Sequence, residues 1–119
     1  MNLNSILIGS DDADRLVVYY GRLFGPPTWD VGPYKGWQIG TGGLVVGPHD
    51  QVHGRNQEAG RIIWNIESPD VRSDFDRLVA AGATVVREPY NPAEDGTGNA
   101  LIATFSDPDG NYFQLTSPM

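Results

Sequence analysis

Asn99-Ala100-Leu101-Ile102-Ala103-Thr104-Phe105-Ser106-Asp107-Pro108-Asp109-Gly110-Asn111-Tyr112-Phe113-Gln114-Leu115-Thr116 is the stretch that decides the reading of this chain. An apolar run, Ala100 to Phe105, enters the turn Asp107-Pro108-Asp109-Gly110-Asn111, and Tyr112 to Thr116 leaves it. Pro108 pre-sets φ for the second position of a type I turn. Asp109 tolerates the bridge region, and Gly110 supplies the left-handed residue that follows. The stretch therefore reads as a tight hairpin with a bulge. In the outgoing strand Tyr112, Gln114 and Thr116 share one face, and Phe113 and Leu115 share the other. One apolar and one mixed face are expected of a sheet with a core side and a partly polar side.

Upstream of the hairpin, Arg61 to Ile66 reads as a strand. Ser68 is placed to cap a helix, with Pro69 at its first position and Asp70 in its first turn. Val71, Phe75, Leu78 and Val79 make its apolar stripe, and Gly82 ends it. Thr84 to Glu88 is a strand, and Pro89 to Gly98 is a Pro/Asn/Gly-rich loop. The first half of the chain shows the same pattern. Ser5 to Gly9 is a strand, with Ile6 and Ile8 on one face and Ser5, Leu7 and Gly9 on the other. Ser10 is placed to cap a helix whose stripe is Ala13, Leu16, Val17, Tyr20, Leu23 and Phe24, ended by Gly25 and Pro26-Pro27. Short strands follow near Thr28 to Val31, Trp37 to Gly40 and Gly43 to Gly47, with turns at Gly32-Pro33 and Thr41-Gly42.

Ser10 and Ser68 stand 58 positions apart, and so do Val17 and Phe75, and Tyr20 and Leu78. A constant offset of cap and stripe points to an internal repeat, each half β-α-β-β-β. The plainer alternative is an α+β domain that happens to hold two helices. Under the repeat, one domain spans 1–119, with a first module over about 1–48, a connector over about 49–60 and a second module over about 61–119. The connector, Pro48 to Gly60, is polar, lacks periodicity and holds both histidines, His49 and His53.

Composition narrows the functions. The 119 residues suffice for one domain with its own core. There is no cysteine, which removes disulfides and thiolate metal sites. The formal charge of −7 repels phosphate backbones and anionic lipid, so neither nucleic acid nor membrane is expected as a partner. No basic-then-apolar leader opens the sequence and no apolar run approaches the length of a membrane span, so a cytoplasmic protein is expected.

Taken together, the helix ending Tyr19-Tyr20 and Leu23-Phe24-Gly25, the run Leu78-Val79-Ala80-Ala81-Gly82-Ala83, and Phe105 to Asn111 resemble the vicinal oxygen chelate superfamily. That group holds glyoxalases, extradiol dioxygenases, fosfomycin resistance enzymes and bleomycin-resistance binding proteins. The resemblance spans the chain, and the Asp-Pro-Asp-Gly-Asn hairpin is its specific part. It implies two βαβββ modules forming a curved, cup-like eight-stranded mixed sheet with helices on the outer face, and it implies a homodimer. Members that use metal place ligands at four sheet positions facing into the cup. Carried over one by one, these fall on Ser5, on Val46 or Gly47, on Arg61 or Ile63, and on Gln114, where a glutamate is usual.

That set carries no carboxylate and no imidazole. Hydroxyl and amide oxygens hold a divalent ion weakly by themselves. An arginine at about 4 Å and an effective dielectric near 20 would oppose one by about 8 kcal/mol. The expectation is that the usual metal site is absent and that no cofactor is held. His49 and His53 could form a His-x-x-x-His metal pair, but Pro48 and Gly54 flank them and a solvated loop is the plainer reading. Asp107 and Asp109 suit a catalytic or calcium site, or simply the turn.

Strand parity places Ser5, Leu7, Ile63, Asn65, Gln114 and Thr116 on the cup lining, with Tyr34, Trp37, Trp29 and Tyr90 at its mouth and His49 leaning over the rim. Trp64 has core parity. Arg61 is the expected anchor for an anionic group, or else a surface residue paired with Glu88 or Asp70. An apolar hollow with a few converging polar groups and aromatic rings is a small-molecule site by default. Three functions compete. The first is a metal-free binding protein for a small, partly aromatic molecule, held in the cup or at the dimer junction. The second is a glyoxalase- or dioxygenase-like metalloenzyme with a rearranged metal site. The third is a domain whose cup is filled by its own side chains.

Overall fold

The β-α-β-β-β order expected of each half occurs twice in a computed structural model that describes all of residues 1–119. The chain forms two compact units, Met1–Arg55 and Asn56–Met119. The first holds β1 (Ser5–Ser10), α1 (Ala13–Phe24), β2 (Trp29–Val31), β3 (Tyr34–Ile39) and β4 (Gly42–Pro48). The second holds a short 3₁₀ turn (Ala59–Arg61), β5 (Ile63–Glu67), α2 (Val71–Ala80), β6 (Thr84–Tyr90), β7 (Ile102–Ser106) and β8 (Tyr112–Thr116). The eight strands are shared between two four-stranded mixed sheets, ordered β1-β4-β3-β2 and β5-β8-β7-β6. In each, the first strand runs parallel to the last and the other pairings are antiparallel. No helix is long and apolar enough to cross a membrane.

Each helix covers one face of its own sheet. In the first unit α1 buries Leu16, Tyr19, Tyr20 and Leu23, and the sheet contributes Trp37, Leu44 and Val46. The Tyr20 ring lies 6.1 Å from Trp37. Tyr19 lies outside the sequence stripe, yet is buried against Tyr20 in an edge-to-face pair at 5.3 Å. In the second unit α2 buries Val71 and Leu78, and Phe75 meets Phe105 at 5.6 Å. Phe105, Phe113 and Trp64 are register partners across β7, β8 and β5 and stack at 5.2 and 5.0 Å. This aromatic row gives Trp64 the packing role its parity implies. Val79, expected in the stripe, is exposed at its edge.

The hairpin forms as the turn chemistry dictates. The Gly110 amide donates to the Asp107 carbonyl at 2.9 Å, and Gly110 has φ of 82°. The buried Asp107 carboxylate accepts from the Asp109 and Asn111 amides at 2.9 and 3.0 Å and from Asn111 Nδ2 at 2.9 Å. Asp107 therefore serves the turn itself. The same turn holds the start of the second unit: the Asn56 amide donates to the Asp109 carbonyl at 2.8 Å, and Asn56 Nδ2 to Asn111 Oδ1 at 3.0 Å.

Both helix starts lie two residues beyond the expected caps. The N-caps are Asp12 and Asp70, not Ser10 and Ser68. Each serine is buried and its hydroxyl accepts from the amide of the aspartate two residues on, at 3.0 and 3.2 Å. Asp70 Oδ1 then takes the Ser73 amide at 3.1 Å, the bond a cap makes. A serine two residues short of the helix can make the turn but cannot reach that amide, so Pro69 precedes the cap. Further shifts concern strand ends. The strand expected from Arg61 begins at Ile63, because 59–61 closes into a 3₁₀ turn. Likewise β3 begins at Tyr34, and β6 continues through Pro89 to Tyr90, which an edge strand tolerates.

Candidate functional site

The first sheet's open face, opposite α1, carries four glycines, Gly9, Gly36, Gly43 and Gly47. Register partners place Leu7, Val45, Gly36 and Trp29 in one row across the four strands, and Ser5, Gly43 and Gln38 in the next. Gly9 and Gly47 pair in a third. Large rings lie on these bare positions. A Cβ added at Gly36 would stand 2.5 Å from Cε3 of Trp29, and one at Gly43 would stand 3.0 Å from Cζ3 of the same ring. A Cβ at Gly47 would overlap the Tyr34 ring, and one at Gly9 would stand 2.8 Å from His49 Cβ. Glycine is required here by close approach, since any side chain would lift the ring that covers it.

The rings do not fill the face. A cavity of about 370 Å³ remains, with Trp29, Tyr34 and Val31 on its walls and Gly36 and Val45 at its base. Asn4, Ser5 and Lys35 add polar groups at its edge. Trp29 is 41% exposed and Tyr34 similarly so, although both are large rings on a sheet. Lys35 is held at the rim by Asp30 at 2.5 Å and by the Gly32 carbonyl at 3.1 Å. The Tyr34 hydroxyl donates to the Pro48 carbonyl at 3.4 Å. Two exposed aromatic faces over an apolar base offer stacking and burial to a flat molecule.

The second sheet's open face is more polar. Its central row is Asn65, Gln114, Thr104 and Arg87, with Tyr90 opposite Ile102 in the next. Gln114 Nε2 donates to Thr104 Oγ1 at 3.0 Å. The Arg87 guanidinium lies over the Tyr90 ring, 3.3 Å from its centroid.

The expected site residues separate into three groups. Ser5 borders the first hollow and Leu7 lies exposed in the adjoining row. Ile63, Asn65, Gln114 and Tyr90 lie on the second open face. Trp37 and Arg61 lie on neither. Trp37 is 1% exposed, and its Nε1 donates to the Gly25 carbonyl at 2.9 Å. It pairs with Leu44 across the sheet, so it takes the core face and not the mouth. Arg61 sits in the 3₁₀ turn before β5 and forks onto Glu58 at 3.0 to 3.2 Å, well exposed. Its partner is neither Glu88 nor Asp70. His49 follows β4 in a loop, packs its Cβ on Gly9, and accepts from the Gln51 amide at 3.2 Å. Sequence parity missed Asn4, Val31, Lys35, Gly36 and Val45 at the first hollow, and Arg87 and Thr104 on the second sheet. The spacing of Gly43 and Gly47 on one strand face was the available signal for the first.

The four positions implied for metal ligands do not suit a metal. Ser5 offers a hydroxyl, Val46 and Gly47 nothing, Ile63 nothing and Arg61 only a cation forked onto Glu58, and Gln114 offers a neutral amide oxygen. No group of three or more His, Asp or Glu side chains gathers closely enough to hold an ion. Elsewhere, Asp95 in the loop after β6 is held below the usual carboxylate range, first by the Thr97 hydroxyl and then by its amide. This is turn chemistry of the kind seen at Asp107.

Residues 5–116 match the family model described as a glyoxalase-like domain. No curated protein sequence matches. Among solved structures, a glyoxalase-related enzyme from Fulvimarina pelagi is similar at 21% identity, with a TM-score of 0.72 over 99% of this chain and 88% of that one. A glyoxalase/bleomycin resistance protein/dioxygenase family enzyme from Burkholderia phytofirmans PsJN superposes with a TM-score of 0.73 at 18% identity, all of both chains being covered. A glyoxalase/bleomycin resistance protein from Catenulispora acidiphila DSM 44928 gives 0.70 at 16%, over 99% of this chain and 100% of that one.

Proposed function

The chain belongs to the glyoxalase-like domain family, and we propose that within it this protein binds a small, partly aromatic molecule without a metal and without covalent chemistry. The observation that carries the reading is the first sheet's open face. Gly36, Gly43 and Gly47 clear the floor, Trp29 and Tyr34 lie upon it, and an apolar hollow is left between them. Stacking and burial are the forces such a place supplies. The donor set at the family's metal positions supports the same reading, because it offers a cation no charged oxygen and no imidazole.

Catalysis would require a group able to exchange a proton near neutral pH or a held electrophile. The polar groups lining the hollow are the Ser5 hydroxyl, the Asn4 amide, the Tyr34 phenol, which donates to the Pro48 carbonyl, and Lys35, which is engaged by Asp30. These engagements support binding over proton transfer. Pairing of two copies is part of the proposal: Leu7 and Val31 are 56% and 70% exposed on strands of the same sheet and give a second copy an apolar surface. Sedimentation of the purified protein at micromolar concentration tests it, and a monomer at all concentrations removes it.

The binding reading is tested by titrating a library of small flat aromatics while following tryptophan fluorescence, in the native protein and in Trp29→Ala. At least one compound should quench saturably in the native protein and lose about tenfold or more in Trp29→Ala, the scale of one stacking partner. A library that gives no saturable signal assigns the face to self-packing. A compound that binds equally to both proteins places the ligand elsewhere.

A further inference from the structure

We propose that the open face of the second sheet carries a separate subsite for a carboxylate, built on Arg87 with Tyr90 as its support. The sequence pointed to Arg61 for an anion, and that guanidinium is forked onto Glu58. Arg77 is likewise paired with Asp74, and Lys35 with Asp30. Arg87 has no carboxylate partner. Its guanidinium instead lies over the Tyr90 ring, 3.3 Å from the centroid. A cation stacked in this way keeps its in-plane N–H donors directed outward, in the fork that matches a planar carboxylate.

Strict alternation would not have put it there. Val85 pairs with Phe105, a residue of the helix-covered face, and two residues on Arg87 would share that face. The register of β6 on β7 slips between Val85 and Arg87, and again between Arg87 and Tyr90. The first slip sets Arg87 opposite Thr104, and the second sets Tyr90 opposite Ile102, both on the open face. Bulges that re-aim a side chain are a common device beside binding sites.

Polar neighbours stand in register with Arg87, the buried Thr104 nearest. Thr104 Oγ1 accepts from Gln114 Nε2, so the Thr104 hydroxyl proton is left to donate to something else. Gln114 Nε2 keeps a second proton, and Asn65 stands beside it in the row with its own amide. In a chain of formal charge −7, one singly charged planar anion is the fitting guest, since each further negative charge adds repulsion.

The test uses benzoate and its neutral isostere benzamide on the full chain, read by nuclear magnetic resonance of the Arg87 Nε–H, the Tyr90 ring and the three indole N–H groups. Benzoate should shift Arg87 and Tyr90 saturably, more weakly as salt is raised. Benzamide should leave them in place. Arg87→Gln should weaken benzoate by about tenfold or more, the loss of one charge-assisted bond, and Arg87→Lys should restore only part of it. Tyr90→Leu should weaken benzoate with Arg87 intact, because the guanidinium loses its support. Equal shifts with benzamide, or unchanged benzoate affinity in a folded Arg87→Gln, overturn the proposal. So do benzoate shifts confined to Trp29, and in that case the hollow of the first sheet stands. If instead Arg87 responds and no aromatic compound moves Trp29, the subsite stands and the hollow falls.

Discussion

Gly36→Ala is the substitution that the glycine floor makes most informative. The new Cβ would lie 2.5 Å from Trp29 Cε3, about 0.9 Å short of ordinary contact, and 3.3 Å from the Leu44 carbonyl oxygen. The carbonyl belongs to a sheet strand and cannot give, so the ring must. Trp29 stands in the three-residue edge strand β2 and is 41% exposed, which lets it swing outward. Lifting the ring exposes on the order of 50 to 80 Å² of apolar surface, about 1 to 2 kcal/mol. Replacing glycine by alanine in a strand returns about 0.5 to 1 kcal/mol. The net loss of stability is therefore small, about 0 to 1.5 kcal/mol, whereas the hollow loses the wall that shapes it. Gly42→Ala is the matched control. Its Cβ would meet only the Ile39 carbonyl at 3.9 Å, in the same sheet. The assay pairs urea denaturation with the ¹⁵N-resolved indole N–H of Trp29, assigned by Trp29→Phe. Gly36→Ala should move that resonance and weaken aromatic ligands about tenfold, while Gly42→Ala does neither. An unmoved Trp29 resonance in Gly36→Ala, with native ligand affinity, would refute the close packing from which the site is argued.

Three further outcomes follow from the same geometry. Asp107→Ala strands two backbone amides and the Asn111 side chain, and should cost about 2 to 4 kcal/mol in chemical denaturation. A loss below about 1 kcal/mol would mean the carboxylate is not what holds the hairpin. Asp70→Ala removes the bond to the Ser73 amide and should cost about 1 kcal/mol, against no more than a few tenths for Asp70→Asn, by thermal unfolding. Arg61→Ala should leave ligand affinity unchanged and stability within about 0.5 kcal/mol, because its exposed fork on Glu58 is worth little; isothermal titration with any ligand found would show otherwise.

The repeat and the hairpin were legible in the sequence because local chemistry fixes them. Pro108 and Gly110 can serve few structures other than the turn they form, and stripes such as Leu16, Tyr20 and Leu23 commit a helix to one face. Boundaries were less legible. Alternation counted back from Ile66 carries the strand to Arg61 and so puts that residue on a sheet face, and nothing in Ala59-Gly60-Arg61 announces a 3₁₀ turn. The core position of Trp37 is not legible from the chain alone, because its partner, Leu44, follows only from the register of β3 on β4. The floor of the hollow was hidden for a different reason. Glycine carries no hydropathy, so the spacing of Gly43 and Gly47 on one strand face is a faint signal, and the rings resting on Gly36, Gly43 and Gly47 show what those positions are for. Arg87 was hidden because alternation fails at a bulge, and a bulge is a property of two strands together.

The most direct measurement is titration of the best library compound, read at the Trp29 indole N–H, in protein first treated with chelator and then supplied with zinc, nickel, manganese or iron(II). Binding without metal chemistry predicts the same saturable shift and the same dissociation constant in every sample. A shift that vanishes with chelator and returns with one equivalent of a divalent ion would contradict it.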